Sequence, residues 1–331
     1  MDVNRHWYRS SYTPLTFLLL PLSFAFRAAV SVRRALYRFD IQKTQHFPVP
    51  VIVVGNITVG GTGKTPFVIW LAQFLRAQGY RPGIVSRGYG GKHRDAVCHV
   101  TESSDPQVVG DEAVLLAKRA ACPMVIGVDR VAAVKELLAH TDCDVVISDD
   151  GLQHYRLGRN IEIAIVDGNR RFGNEHMLPA GPLREPVERL QQVDFVIAQQ
   201  QALPGEYKMT LVGKEAERVT QKDARKSLQS FNQTEVHAVA AIGNPTQFFR
   251  ALRAEGLNLR EHVFPDHYVY QSSDFNFGDS LPIMMTEKDA VKCTAFADER
   301  FWYLPVTAAV DEIFANALLK KLGETSCASR K

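Results

Sequence analysis

The amino-acid sequence predicts an α/β fold: a mostly parallel sheet flanked by helices, followed by a smaller C-terminal α/β lobe. Three observations carry that expectation. Short β-branched runs alternate with helical stretches from residue 49 onward, a glycine-rich loop joins the first run to the first helix, and a polar stretch at 213–235 interrupts the alternation before it resumes. At 331 residues, 46% hydrophobic and 23% charged, the chain has material for two lobes and an ordinary buried core.

The first element precedes that alternation. Residues 15–26, LTFLLLPLSFAF, form the one long apolar run. As a helix it reaches about 18 Å, short of the roughly 30 Å hydrocarbon core of a bilayer, and extending it to Val32 encloses Arg27. Ser23, Arg27, Ser31, Arg34 and Arg38 recur at helical spacing as one polar stripe, with Phe17, Leu20, Leu22, Phe24 and Phe26 away from it. That pattern predicts an amphipathic membrane-associating helix lying in the headgroup plane, its arginines toward anionic lipid. Trp7, Tyr8 and Tyr12 are the aromatics favoured at that depth. A spanning helix and a helix packed on its own protein are the alternatives.

The charge distribution agrees with a local acidic partner. Residues 1–44 hold seven Arg/Lys against two Asp, whereas the rest of the chain carries 32 basic and 34 acidic residues. A near-neutral body is not that of a nucleic-acid binder. No obligate protein partner is evident. The five cysteines, Cys98, Cys122, Cys143, Cys293 and Cys327, are scattered singly, which argues against both a disulfide framework and a zinc site and suits a reducing cytosol.

Buried-strand patterns follow at 49–55, 81–86, 123–128, 144–149, 161–167 and 194–199, with helical patterns at 66–79, 111–121 and 129–140. Beyond the polar stretch come strands at 236–242, 283–286 and 301–306 and a helix at 246–255. The expected organisation is a membrane-associating segment at 1–44, a nucleotide-binding core at 45–212 and a smaller lobe at 213–331 that closes the cleft.

The strongest chemical signal is GNITVGGTGKTP, residues 55–66, which leaves a buried strand and opens a helix. That is the context of a P-loop, so the core is expected to be a P-loop NTPase fold binding Mg²⁺ and ATP. Small residues let the backbone amides of Thr58, Val59, Gly60, Gly61, Thr62, Gly63, Lys64 and Thr65 cradle phosphate at a positive helix end. Lys64 neutralises the β/γ-phosphates and Thr65 ligates Mg²⁺. Thr58 stands where the strict pattern has Gly, which resembles the loop of MinD-like and signal-recognition NTPases, although Val59 stands where that variant often has Lys. A cleaved signal peptide at the N-terminus would export an ATP user away from ATP.

The strand ending in VVISDDGLQH (145–154) places Asp149 and Asp150 where P-loop proteins hold Mg²⁺; adjacent on a strand, they face opposite ways. Asp111, in GDE (110–112), reads by spacing as a helix N-cap, the alternative being a base that accepts a substrate hydroxyl proton. FPDHY (264–268) sets His267 beside Asp266 in a loop of the second lobe. Thr286 and Asp289 of TEKDAVK (286–292) have cap spacing. Arg87 of SRGYGG (86–91), Arg184 of PAGPLREP (179–186) and Lys288 are candidates to bind an anionic substrate.

Taken in order, these seven blocks, from residue 55 to 292, make the chain similar to the tetraacyldisaccharide 4′-kinases, the lipid A 4′-kinases of Gram-negative bacteria. Thr58 belongs to that family's own loop. The resemblance implies an enzyme at the cytoplasmic face of the inner membrane, peripheral or monotopic, with its active site in a cleft between two lobes. It implies phosphorylation of the 4′-hydroxyl of a tetraacylated glucosamine disaccharide 1-phosphate to give lipid IVA. It also implies that Asp111 is the catalytic base with His267 as its partner, that Asp149 and Asp150 serve the metal, and that Lys64 and Thr65 serve the triphosphate. A MinD-like membrane ATPase switch and a kinase of a small soluble metabolite are the rival readings.

Overall fold

The computed structural model describes residues 4–9, 12–92, 97–221 and 223–328. Residues 1–3, 10 and 11 of the expected membrane segment and 329–331 of the second lobe lie outside them, as does the Cys327 side chain. The short helix α1 (Asn4–Trp7) and the long helix α2 (Pro14–Arg38) precede the sheets. Thr13 caps α2 with its side chain, and Pro14 occupies the first turn, where its missing N–H costs nothing.

The core sheet then builds up from β1 (Val51–Gly55), α3 (Lys64–Ala77), β2 (Pro82–Ser86), β3 (Cys98–His99), α4 (Pro106–Val109), α5 (Asp111–Ala120), β4 (Met124–Ile126), α6 (Arg130–His140), β5 (Val145–Asp149), β6 (Ile161–Asp167), β7 (Phe195–Gln199) and β8 (Tyr207–Val212). Its nine strands run in the order β15-β8-β7-β6-β1-β5-β2-β4-β3, where β15 (Thr307–Val310) comes from the far end of the chain. Six neighbouring pairs are parallel, and only the edge strands β3 and β15 pair antiparallel. Every residue of β1, β2 and β5 is buried, the expected consequence of covering a parallel sheet on both faces. One face packs Phe67, Leu71 and Leu75 of α3 with Leu116 of α5 and with Phe314, Leu318 and Leu322 of the closing helix α9 (Glu312–Ala328).

The second sheet has the order β10-β9-β14-β13-β11-β12. Its strands are β9 (Glu215–Arg218), β10 (Arg225–Ser227), β11 (Glu235–Ala240), β12 (Asn258–Val263), β13 (Ile283–Thr286) and β14 (Phe301–Leu304), with α7 (Pro245–Ala254) and α8 (Glu287–Cys293) between them. The polar stretch at 213–235 therefore carries two antiparallel strands of this sheet, β10 at its edge and β9 beside it, and β15 and α9 return the chain to the first one.

The long N-terminal helix differs from expectation in which side meets the body. Ser23 Oγ donates to the Met177 carbonyl at 2.7 Å, Arg34 donates to Gln192 at 2.5 Å, and Arg27 lies 4.0 Å from Glu188. Phe26 and Val30 pack against Ile57, Val166 and Met177. The polar stripe thus finds partners in the protein itself, and Phe17, Leu18, Leu22 and Phe24 face outward. Trp7 is buried and donates through Nε1 to Pro179 O at 3.1 Å, and Tyr8 lies under the Arg170 guanidinium, so neither is free for an interface; Tyr12 is exposed.

Candidate active site

The glycine-rich loop runs from the end of β1 into α3, and a second loop is laced onto it. Val59 N–H donates to Pro182 O at 2.8 Å, Arg184 N–H donates to Ile57 O at 2.7 Å, and Thr58 bridges Leu183. The Pro/Gly-rich segment 179–186 is thereby a wall of the phosphate loop. Arg184 reaches across it: its two Nη atoms donate to the two oxygens of Asp150 at 3.0 and 3.1 Å, and its Nε donates to Thr58 O at 3.2 Å. Lys64 Nζ donates to Asn56 Oδ1 at 3.1 Å and lies 3.5 Å from Asp150.

The two adjacent aspartates have opposite environments. Asp150 adopts a left-handed φ of 48°, which ends the strand and turns its carboxylate to the loop. Burial alone would raise its pKa, but the charges of Lys64 and Arg184 outweigh it and hold the carboxyl below the usual range. Asp149 is buried; Ser86 Oγ donates to its Oδ2 at 3.0 Å, and its Oδ1 has no hydrogen-bond partner among the described residues. Burial, with the charges of Glu112 and Asp150, pushes it up to about 6. His154, in the same motif, is pushed down to about 4 by burial and by Arg130 and Arg87. Arg87 itself is exposed at the mouth of its loop.

Asp111 is the first residue of α5, and the capping position belongs to Gly110. At Gly110 φ is 94°, and an added Cβ would meet Tyr89 O at 2.4 Å, so no side chain can occupy that position. The cap assignment suggested by spacing is thereby corrected, and the Asp111 carboxylate is free to turn elsewhere. Its Oδ1 accepts from Glu112 N–H at 2.8 Å and from His267 Nδ1 at 3.1 Å. Its buried Oδ2 finds no hydrogen-bond partner among the described residues and lies 3.8 Å from Lys292 Nζ. Burial opposes ionisation of Asp111, but the His267 hydrogen bond and the Lys288 charge prevail and lower its pKa. Burial likewise opposes the His267 cation, and the Asp111 bond prevails and raises it.

His267 is held in a left-handed φ of 60°, edge-on to the Tyr89 ring at 4.9 Å. Lys288 Nζ donates to Glu112 at 3.0 Å and to Asp266 at 3.4 Å and lies 3.3 Å from His267 Nε2. It and the Arg119–Glu287 pair at 2.6 Å join α8 of the second sheet to α5 of the first. The turn after β11 brings the same lobe to the phosphate loop. A Cβ at Gly243 would lie 3.2 Å from Gly61 N, a tight contact that glycine avoids, and 3.6 Å from Asp266 Oδ2. The second lobe therefore meets the phosphate loop at Gly243 and the Asp111 carboxylate at His267.

The model of the LpxK family, tetraacyldisaccharide-1-P 4'-kinase, matches residues 15–323. The chain belongs to this family. The tetraacyldisaccharide 4'-kinase of Nitrosococcus oceani is 52% identical over 324 residues, covering 98% of this chain and 95% of that relative. A protein of the same name from Methylobacillus flagellatus is 47% identical over 322 residues, covering 97% and 95%. The crystal structure of LpxK from Aquifex aeolicus in complex with ATP aligns with a TM-score of 0.78 at 28% identity, covering 93% of this chain and 99% of that one.

For a member of the 4'-kinase family, several residues around the phosphate loop and Asp111 are not among the site residues that the sequence singled out. Ser86, the hydrogen-bond donor to Asp149, closes β2 and opens the SRGYGG block, in which the sequence pointed to Arg87 instead. Arg170 pairs with Asp167 at 2.8 Å and donates to Gly61 O at 3.0 Å from the loop after β6. Lys292 joins Asp111 to Asp289, which it approaches to 2.7 Å; its spacing from Lys288 on one helical face was the available clue.

Proposed function

We propose that the chain transfers the γ-phosphoryl group of ATP to the 4′-hydroxyl of a tetraacylated glucosamine disaccharide 1-phosphate, giving lipid IVA. The observation that carries this reading is that one lobe meets both the phosphate loop, at Gly243, and Asp111, through His267, in a chain of this family. A sugar hydroxyl is a poor nucleophile, and a base beside a phosphate cradle is what its phosphorylation requires.

In the proposed mechanism the backbone amides of residues 58–65 hold the triphosphate, and Lys64 exchanges its contacts with Asn56 and Asp150 for the β/γ-phosphates. Arg184, bidentate on Asp150, keeps that carboxylate and the Thr58 carbonyl in register. A bound Mg²⁺ would supply charge neutralisation for the transferred phosphoryl. The unpartnered buried oxygen of Asp149 suits such an ion, which the Thr65 hydroxyl and the Asp150 carboxylate would help to hold. Asp111 accepts the hydroxyl proton, and His267 orients it. A carboxylate held below its usual pKa is a weak base, and a loose transition state with little bonding to the attacking oxygen asks little more. Arg87 and Lys288 are the proposed contacts to the anionic disaccharide.

The proposed division of labour keeps 45–212 as the nucleotide core and 213–331 as the closing lobe, with β15 and α9 returning to brace the core. Residues 1–44 are proposed to hold the protein on the cytoplasmic face of the inner membrane. By length α2, about 37 Å, could cross a bilayer. Its packing on the body through Ser23, Phe26 and Arg34 supports a helix lying along the surface, apolar face into the lipid. A hydrolytic switch has no use for a base oriented by a histidine of the second lobe, and a kinase of a soluble metabolite has none for the outward face of α2. Incubation with labelled ATP and total bacterial lipid tests the reading: a labelled glycolipid supports it, and release of labelled phosphate alone sinks it.

A further inference from the structure

Three metal-ligating side chains that the phosphate chemistry does not use meet at the β3 edge of the large sheet. His99 lies on β3, and Glu136 and His140 share one face of α6 at i, i+4 spacing. Glu136 Oε1 lies 3.1 Å from His99 Nε2 and 3.2 Å from His140 Nδ1, and the donor atoms of all three residues fall within 4.8 Å of one another. A tetrahedral ion with ligands at about 2.0–2.1 Å sets its donors about 3.3 Å apart. Two of the separations are therefore already close to those of a bound ion.

We propose that His99, Glu136 and His140 bind a divalent transition-metal ion of the zinc class. Two imidazoles and one carboxylate suit Zn²⁺ and not Mg²⁺, which separates this site chemically from the acidic pair at the phosphate loop. The scattered cysteines argue against a thiolate site, and this one uses no thiolate. The side chains are 45%, 37% and 60% exposed, which leaves an entry path and room for water in the fourth position. Ligation through His140 Nδ1 exchanges its 3.1 Å contact with the Glu136 carbonyl for the ion. What the ion ties together is a two-residue edge strand, in register through Cys98–Ile126 and His99–Val125, and the end of α6. The tied strand lies in the chain between the 86–91 loop and α5, so the ion steadies the segment that leads to Asp111.

The test uses the full chain, stripped with chelator and returned to buffer containing millimolar Mg²⁺, then titrated with Zn²⁺ by calorimetry while the thermal midpoint is followed. Wild type is expected to take up one equivalent and gain thermal stability in proportion to ligand excess. His99→Gln and His140→Gln, which keep side-chain bulk, should each weaken uptake by more than about tenfold, because each removes one of three protein ligands. Far-UV circular dichroism confirms that the variants are folded. Absence of stoichiometric uptake by wild type overturns the proposal. So does uptake that persists unchanged in the His99→Gln/His140→Gln double variant, which would move the ion to the aspartates of the phosphate loop.

Discussion

Asp111→Asn separates the two roles open to that residue, because the substitution removes a proton acceptor and leaves the hydrogen-bond frame standing. The asparagine Oδ1 still accepts from Glu112 N–H and from His267 Nδ1, now at 2.8 and 3.1 Å. Loss of fold stability should stay within about 1–2 kcal/mol, the scale of one altered buried hydrogen bond. The rate bears the change instead. A positioned base contributes roughly 10²–10⁴-fold, or about 3–5 kcal/mol of barrier at about 1.4 kcal/mol per decade. The assay is kcat at saturating Mg-ATP and detergent-dispersed lipid, with ATP affinity and thermal midpoint measured alongside. Since paired residues act as a unit, the Asp111→Ala/His267→Ala double variant should be hardly slower than the poorer single. The pH signs are fixed by the shifts. Asp111, lowered, contributes stability that is present above the unfolded carboxylate range and lost as pH falls through its folded pKa. His267, raised, contributes stability that is full below its unfolded value and lost as pH rises through its folded pKa. The tie between lobes is therefore strongest in the window between. A silent Asp111→Asn, or strictly multiplicative losses in the double variant, would refute the pairing.

Other expectations follow from the same geometry. Asp149→Asn should lower kcat yet stabilise the fold at neutral pH by on the order of 2–3 kcal/mol, since a buried carboxyl raised to about 6 penalises folding as pH climbs through that value; a thermal midpoint no higher than wild type at pH 7 and above counts against it. Arg184→Ala frees Asp150 and slackens the loop at Thr58, so ATP affinity and kcat should both fall while the fold survives; unchanged nucleotide binding argues otherwise. Replacing the outward Leu18, Leu22 and Phe24 with lysine should move the protein to the soluble fraction while retaining activity on detergent-dispersed lipid. Retention in a carbonate-washed membrane pellet would favour a spanning helix.

Much of this molecule is legible in the chain because its strongest signals are local. The core strands are continuous β-branched runs, as burial on both faces demands, and the phosphate loop is a contiguous motif between a strand and a helix. What escapes is nonlocal. The His267 partner of Asp111 lies 156 residues away, and only the left-handed backbone at Gly110 reveals that the aspartate is not the cap. Strands β9 and β10 are short and polar, so they carry no hydrophobic period and read as a linker. The polar stripe of α2 was visible, but its direction depended on Met177, Glu188 and Gln192, which no periodicity in the helix can foretell.

The central claim is transfer from a phosphate loop to a lipid-borne hydroxyl, and one measurement addresses it directly. Wild type and Lys64→Ala are given γ-labelled ATP, Mg²⁺ and a tetraacylated glucosamine disaccharide 1-phosphate, and the labelled product is isolated and its phosphate position assigned. Lys64, 3.5 Å from Asp150 at the mouth of the loop, is the cation that the β/γ-phosphates would recruit. The account predicts label at the 4′ position with wild type and a loss of several orders of magnitude with a folded Lys64→Ala. Label released only as inorganic phosphate, or lipid phosphorylated equally well by the variant, would contradict it.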